Sequence, residues 1–243
     1  MNHDGASLHI AGLTFSRAAR TILDNIDLTI PAGEHVAIVG PSGAGKSTLL
    51  QLIAGILRPD SGAVRIDGRA VVGPAPFTTL MFQRPALLPW ATVIENVLLP
   101  LHFSGAARRD ACIARERVLH LLDKVGIADR GDARPAELSG GQQQRAALAR
   151  ALASAPRMLL LDEPFSALDP ETRDGLRRDV RRLATERGLT LITVTHDLAD
   201  ATALAGRAIV LGGAPARILD DVQLGEGGEV VLRGRLAGAR RAA

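Results

Sequence analysis

The stretch GPSGAGKST, residues 40–48, constrains this chain more than any other. It follows a short, nearly continuous apolar run, HVAIV (35–39), and leads into a helix-like pattern, KSTLLQLIAGIL. Its spacing matches G-x-x-x-x-G-K-[ST], with Gly40, Gly45, Lys46 and Ser47 in the defining places. The glycines let the backbone curl so that its N–H groups point inward at phosphate oxygens. The start of the following helix adds partial positive charge. Lys46 is then expected to reach the outer phosphates of a nucleotide, and the Ser47 hydroxyl to bind Mg²⁺. Lys46 is one of only two lysines in an arginine-rich chain, the other being Lys124. A compact ammonium suits phosphate at this point. All of Gly40, Pro41, Ser42, Gly43, Ala44, Gly45, Lys46, Ser47 and Thr48 are nucleotide-binding candidates.

The rest of the chain reads as α/β. LHIAGLTF (8–15), NIDLTI (25–30) and GAVRIDG (62–68) alternate apolar and polar residues, as half-buried strands do. HVAIV, RMLLL (157–161), LTLITV (189–194) and RAIVL (207–211) are continuous apolar runs, which predicts strands buried on both faces of a parallel sheet. Helical patterns follow the first three of these runs. One of them, TRDGLRRDVRRLATER (172–187), is amphipathic, with Leu176, Val180 and Leu183 at helical spacing. Residues 84–137 contain helical patterns and no strand candidate, so an inserted helical subdomain is expected there. The core, with its β subdomain, then spans 1–83 and 138–225, and 226–243 reads as a short tail.

Composition sets limits. At 47% hydrophobic and 23% charged residues over 243 positions, the chain is ordinary globular protein rather than a disordered or repetitive one. A single cysteine, Cys112, excludes an internal disulfide framework and a multi-cysteine metal site. No run of about 18 apolar residues occurs, so no membrane-crossing helix is expected, and the N-terminus carries no secretory pattern. A formal charge of +3 is too small to argue for nucleic acid as a partner.

Two further stretches carry chemistry. RMLLLDEP (157–164) ends a buried strand in two carboxylates, Asp162 and Glu163. Asp162 is placed to hold a Mg²⁺ shell, and Glu163 to take a proton from an attacking water. LSGGQQQR (138–145) opens a helix with Ser139, Gly140, Gly141 and Gln142, a second potential phosphate cradle. One nucleotide does not need two cradles from one chain, so each cradle is read as serving a different copy of the protein.

With these residues in order, the chain resembles the ATP-binding subunit of an ABC transporter over nearly its whole length. The loop at 40–48 looks like the family's Walker A motif, LSGGQ at 138–142 its signature, and Asp162–Glu163 its Walker B pair. Gln83 in FQRPALLPW is similar to the Q-loop glutamine, SALD (166–169) to the D-loop, and His196 in VTHD to the switch histidine. Steps of 37, 56, 23 and 33 residues separate Lys46, Gln83, Ser139 and Asp162 in turn, and then Glu163 from His196.

The resemblance implies a P-loop NTPase (RecA-like) parallel-sheet core, an N-terminal antiparallel β subdomain and the helical insertion. It implies two subunits meeting head to tail around two ATP molecules with Mg²⁺. Each ATP would touch Lys46, Ser47, Gln83, Asp162, Glu163 and His196 of one subunit, and Ser139 and Gly141 of the other. Asp169 would act across the dimer. Ser47, Gln83 and Asp162 would serve the metal, and Phe15, 31 residues before Lys46, would stack on adenine unless it packs in the core.

The phrase around LLPW, with GGAPARIL later, resembles the importers of nitrate, taurine, aliphatic sulfonates and pyrimidine precursors. A separate permease, contacted through Leu87, Leu88 and Trp90, an external substrate-binding protein, and a peripheral place on the cytoplasmic face of the inner membrane are implied. Arg84, the lone acid Asp200 and Gly206 depart from the group's usual residues in parts that concern partners. An exporter or lipoprotein-release ATPase is the main alternative, and LLPW weighs against it. A P-loop kinase or GTPase does not fit LSGGQ and His196. A subunit unable to hydrolyse ATP does not fit Glu163 and His196 together.

Overall fold

The computed structural model describes residues 5–75, 77–106, 110–166, 168–225 and 227–241. Residues 107–109, at the start of the second helical pattern, and Ala167 of SALD lie outside them. The strands are β1 (Leu8–Arg17), β2 (Arg20–Ile30), β3 (His35–Val39), β4 (Ser61–Ile66), β5 (Arg69–Ala70), β6 (Thr78–Met81), β7 (Met158–Asp162), β8 (Thr190–Thr195), β9 (Arg207–Gly212) and β10 (Arg217–Gln223). The helices are α1 (Lys46–Ile53), α2 (Val93–Phe103), α3 (Ala111–Lys124), α4 (Gly140–Ala153), α5 (Pro170–Glu186), α6 (Leu198–Leu204) and α7 (Gly228–Arg241).

The continuous apolar runs do become strands buried on both faces. In β3, Val36 and Ile38 enter one core cluster while Ala37 and Val39 enter another on the opposite face. In β7, Met158 and Leu160 face one side, Leu159 and Leu161 the other. These strands build a six-stranded sheet in the order β10-β9-β3-β8-β7-β6, parallel except for β10 at one edge. The alternating strands form a separate antiparallel sheet, β2-β1-β4-β5. Its apolar face (Leu8, Ile10, Leu13) shares a core with α1 and the inner face of the large sheet.

Residues 84–137 carry helices and no strand among the described residues. Thr92 and Glu95 form a reciprocal cap at the start of α2. Asn96, fully buried, takes the Leu88 N–H at 2.7 Å and gives its amide hydrogens to the carbonyls of Leu88, Ala91 and Thr92. That side chain therefore fixes the LLPW turn from inside. The two edge strands of the large sheet, β6 and β10, escape the sequence reading: β6 has four residues, and β10 is an exposed, largely polar edge. The stretch read as a tail carries α7, which buries Leu232 against α6 and β9. Among the described residues no helix is long and apolar enough to cross a membrane.

Candidate active site

The glycine loop joins the end of β3 to α1 at the C-terminal edge of the parallel sheet, where α/β folds bind ligands. Gly40 must be glycine, because a Cβ there would lie 2.1 Å from the Leu211 carbonyl oxygen. Gly43 and Gly45 take φ of 82° and 79°, the left-handed region that reverses the chain before α1. The Lys46 ammonium, 6% exposed, folds over the loop and donates to the Gly40 and Pro41 carbonyls, both at 2.9 Å. Burial pushes its pKa down, and the Glu163 and Asp162 carboxylates oppose that. Beside the loop lies a cleft of about 300 Å³, lined by Ser42, Gly43, Lys46, Ser47, Thr48 and Glu163 together with Arg17 and Ile22.

The two expected metal ligands meet. Ser47 Oγ donates to Asp162 Oδ1 at 2.8 Å, joining α1 to the end of β7. Burial raises the Asp162 pKa, with the Ser47 bond pulling the other way, then Glu163 adding to the rise and Lys46 opposing it. A carboxylate held in this way gains from a nearby cation. Two hard oxygen donors and room for phosphate and water are what Mg²⁺ prefers, so the residues fit that ion. The third expected ligand, Gln83, is bonded elsewhere.

Glu163 is the centre of the cluster. Its backbone sits at φ 45°, uncommon for a side chain with a Cβ, held by its N–H bond to the Val194 carbonyl at 2.9 Å. Oε1 lies 3.2 Å from His196 Nδ1 at the end of β8. Oε2 lies 3.4 Å from Gln83 Nε2 after β6, and the same Gln83 nitrogen donates to Ser166 Oγ at 3.1 Å. Ser166 donates in turn to the Glu163 carbonyl. Ser166 stood in the SALD stretch but had no expected role; it anchors Gln83 against the Glu163 turn. Three strands thus present Gln83, Glu163 and His196 to one another.

Ser139 and Gln142 cap α4 reciprocally, each accepting from the other's backbone N–H. Among the described residues no hydrogen bond joins Ser139, Gly140, Gly141 or Gln142 to residues 40–48. Asp169 caps α5 by accepting from Thr172 N–H at 3.0 Å, a bond that lowers its pKa.

Phe15 is 9% exposed and packs in the core beneath the antiparallel sheet. The side chain that reaches the phosphate cleft from β1 is Arg17. The β1–β2 register shifts between Phe15 and Ser16, and counting residues from Lys46 cannot see such a shift. Leu87 and Leu88 are half-buried, Leu87 against the helical core. Trp90 is 72% exposed. A separate groove between α2, β6 and α4 is lined by Met81, Phe82, Leu99, Pro100 and Phe103, with Arg150 at its side.

Residues 23–166 match the family model described as ABC transporter. An aliphatic sulfonates import ATP-binding protein of Xanthomonas axonopodis pv. citri is 46% identical over 220 residues, covering 90% of this chain and 85% of that one. The protein of the same description from Pseudomonas putida is 48% identical, covering 85% and 73%. The ATP-binding cassette MJ0796, solved as a dimer bound to ADP and phosphate after hydrolysis, superposes with a TM-score of 0.77. It is 33% identical, and the match covers 90% of this chain and 99% of that one.

Proposed function

The chain belongs to the ABC transporter family, and from that premise we propose that it binds and hydrolyses ATP to power import through a membrane permease. The observation that carries the reading is Glu163, poised between Gln83 and His196 beside a loop whose Ser47 already bonds Asp162. In this reading the residues 40–48 wrap the phosphates. Lys46 turns its ammonium from the Gly40 and Pro41 carbonyls to the β- and γ-phosphates. Ser47 and Asp162 hold Mg²⁺, which when bound neutralises phosphate charge. Glu163 accepts the proton of the attacking water, while Gln83 and His196 keep its carboxylate aimed. Ser139 and Gly141 of a second copy close over the γ-phosphate, and Asp169 works across that dimer.

Within the cargo classes expected from the sequence, the names of the relatives favour alkanesulfonates. The permease is taken to dock in the groove at Met81, Phe82 and Phe103, with the chain peripheral on the cytoplasmic face and an external binding protein delivering cargo. A strain lacking this gene is expected to lose growth on an alkanesulfonate as sole sulfur source. A wild-type copy restores it and a Glu163→Gln copy does not. Undiminished growth would remove the cargo and leave the ATPase reading to its own tests.

In the same reading Arg17, which lines the cleft, meets the base while Phe15 packs in the core. A planar guanidinium stacks on a base face much as an aromatic ring does. Arg17→Ala is expected to weaken ATP binding about fivefold, the equivalent of about 1 kcal/mol of cation–π contact. Phe15→Ala should instead cost about 3–5 kcal/mol of stability through the cavity it leaves, with ATP affinity of the folded fraction kept. Isothermal titration and denaturant melts separate the two; a reversed pattern would put the ring back on the base.

A further inference from the structure

We infer that Arg173 is a positioning residue that fastens the loop carrying His196 to the helix that begins at Asp169, so that the two move as one piece. The inference rests on the proposed ATPase reading and deepens it. Arg173 lies in the first turn of α5. One terminal nitrogen donates to Asp197 Oδ2 at 3.0 Å, and the other to the Leu168 carbonyl at 3.2 Å. Asp197 directly follows His196, and Leu168 directly precedes Asp169. A single guanidinium thus bridges the residue next to the switch histidine and the residue next to the one expected across the dimer.

The anchor is set in rigid surroundings. Asp197 also caps α6 through Ala199 N–H at 2.8 Å, and its own N–H donates to Thr195 Oγ1 at 3.0 Å. Thr195 donates to Asp200, which is buried and paired with Arg177. His196 therefore stands between two residues, Thr195 and Asp197, that are both tied down. Arg177, one turn further along α5, also lies 3.6 Å from Asp197 Oδ2, and Arg173 adds the tie from that loop on to the Leu168 carbonyl.

On the other side of α5, Gly141 of the second cradle packs against Thr172 so closely that a Cβ would fall 2.3 Å from Thr172 Cγ2. Thr172 is the residue next to Arg173. A continuous path of contacts joins the cradle at Ser139–Gly141, the cap at Asp169 and the loop at His196 within one subunit. In the proposed dimer, that path links the two ATP sites, since the cradle serves one and His196 the other.

Stability is a poor account of this pair. Arg173 Nε is buried with no partner, a cost rather than a gain, and both side chains of the pair are partly open to solvent. Geometry is the better account. Misplacing a group at the chemistry by an ångström can cost about 100-fold in rate.

The test uses the full chain in excess over Mg-ATP, at concentrations well above its Kd, in single-turnover hydrolysis followed over hours, with ATP affinity measured on the same variants. Arg173→Ala is expected to slow hydrolysis between about 10- and 100-fold, with ATP affinity kept within about twofold. Arg173→Lys, which reaches only one of the two acceptors, should fall between, and it carries the comparison if the alanine variant does not fold. In a His196→Ala background, Arg173→Ala should slow the reaction no further, because it acts through that loop. A wild-type rate in Arg173→Ala, parallel loss of rate and affinity, or a full additional loss in the His196→Ala background would each overturn the inference. If His196→Ala alone hydrolysed ATP at the normal rate, the catalytic reading of the site would fall, and this inference with it.

Discussion

Glu163→Gln is expected to slow ATP hydrolysis between about 100- and 10,000-fold, the range lost with a general base, while ATP still binds. The substitution keeps the shape of the side chain at φ 45° and keeps an oxygen for the Gln83 amide. What disappears is the second basic oxygen, the one that faces His196 or an attacking water. Rapid-quench measurement of phosphate release, with binding followed by titration, checks both halves. Loss of binding together with rate would mean that Glu163 holds the nucleotide or the fold rather than the water.

Lys46→Ala should weaken binding itself. Lys46 is the only lysine of the loop, and its ammonium already donates to the Gly40 and Pro41 carbonyls. A hydrogen bond from a charged donor is worth about 3 kcal/mol at the upper end, which is roughly 100-fold in Kd. Hydrolysis at sub-saturating ATP falls at least in proportion. Titration calorimetry reads the change directly, and an unaltered Kd would show that the phosphates lie outside this loop. Together the two variants split the site: one loses chemistry and keeps ligand, the other loses ligand.

Much of this was legible in the residues because it is local. HVAIV is a doubly buried strand wherever it folds, and a glycine loop followed by Lys46 and Ser47 closes on itself through contacts a few residues apart. The motif order then brought Asp162, Glu163, Gln83 and His196 to one sheet edge, and the structure places Glu163 within reach of both Gln83 and His196. What stayed hidden depends on register and distant packing. Phe15 and Arg17 lie two apart on one strand whose pairing shifts register between Phe15 and Ser16, and Arg17 reaches the cleft while Phe15 packs in the core. Strand β10 has the polar face of an edge and no apolar run to mark it. Helix α7 carries Gly228 and Gly234, poor helix formers, and depends on Leu232 packing against α6 and β9. Arg173 read as one arginine among many on a charged helix, because its partners Leu168 and Asp197 are made neighbours only by the fold.

In the proposed assembly two copies of this chain share two ATP sites, each built from the Lys46 loop of one and the Ser139 cradle of the other. Light scattering on the purified Glu163→Gln chain, with and without saturating Mg-ATP, reads whether it forms. A shift from 25.6 kDa to twice that mass is expected when ATP is added, and no shift when Ser139→Arg is introduced as well. A Glu163→Gln chain that binds ATP and stays at the monomer mass, or a dimer indifferent to Ser139→Arg, would contradict it.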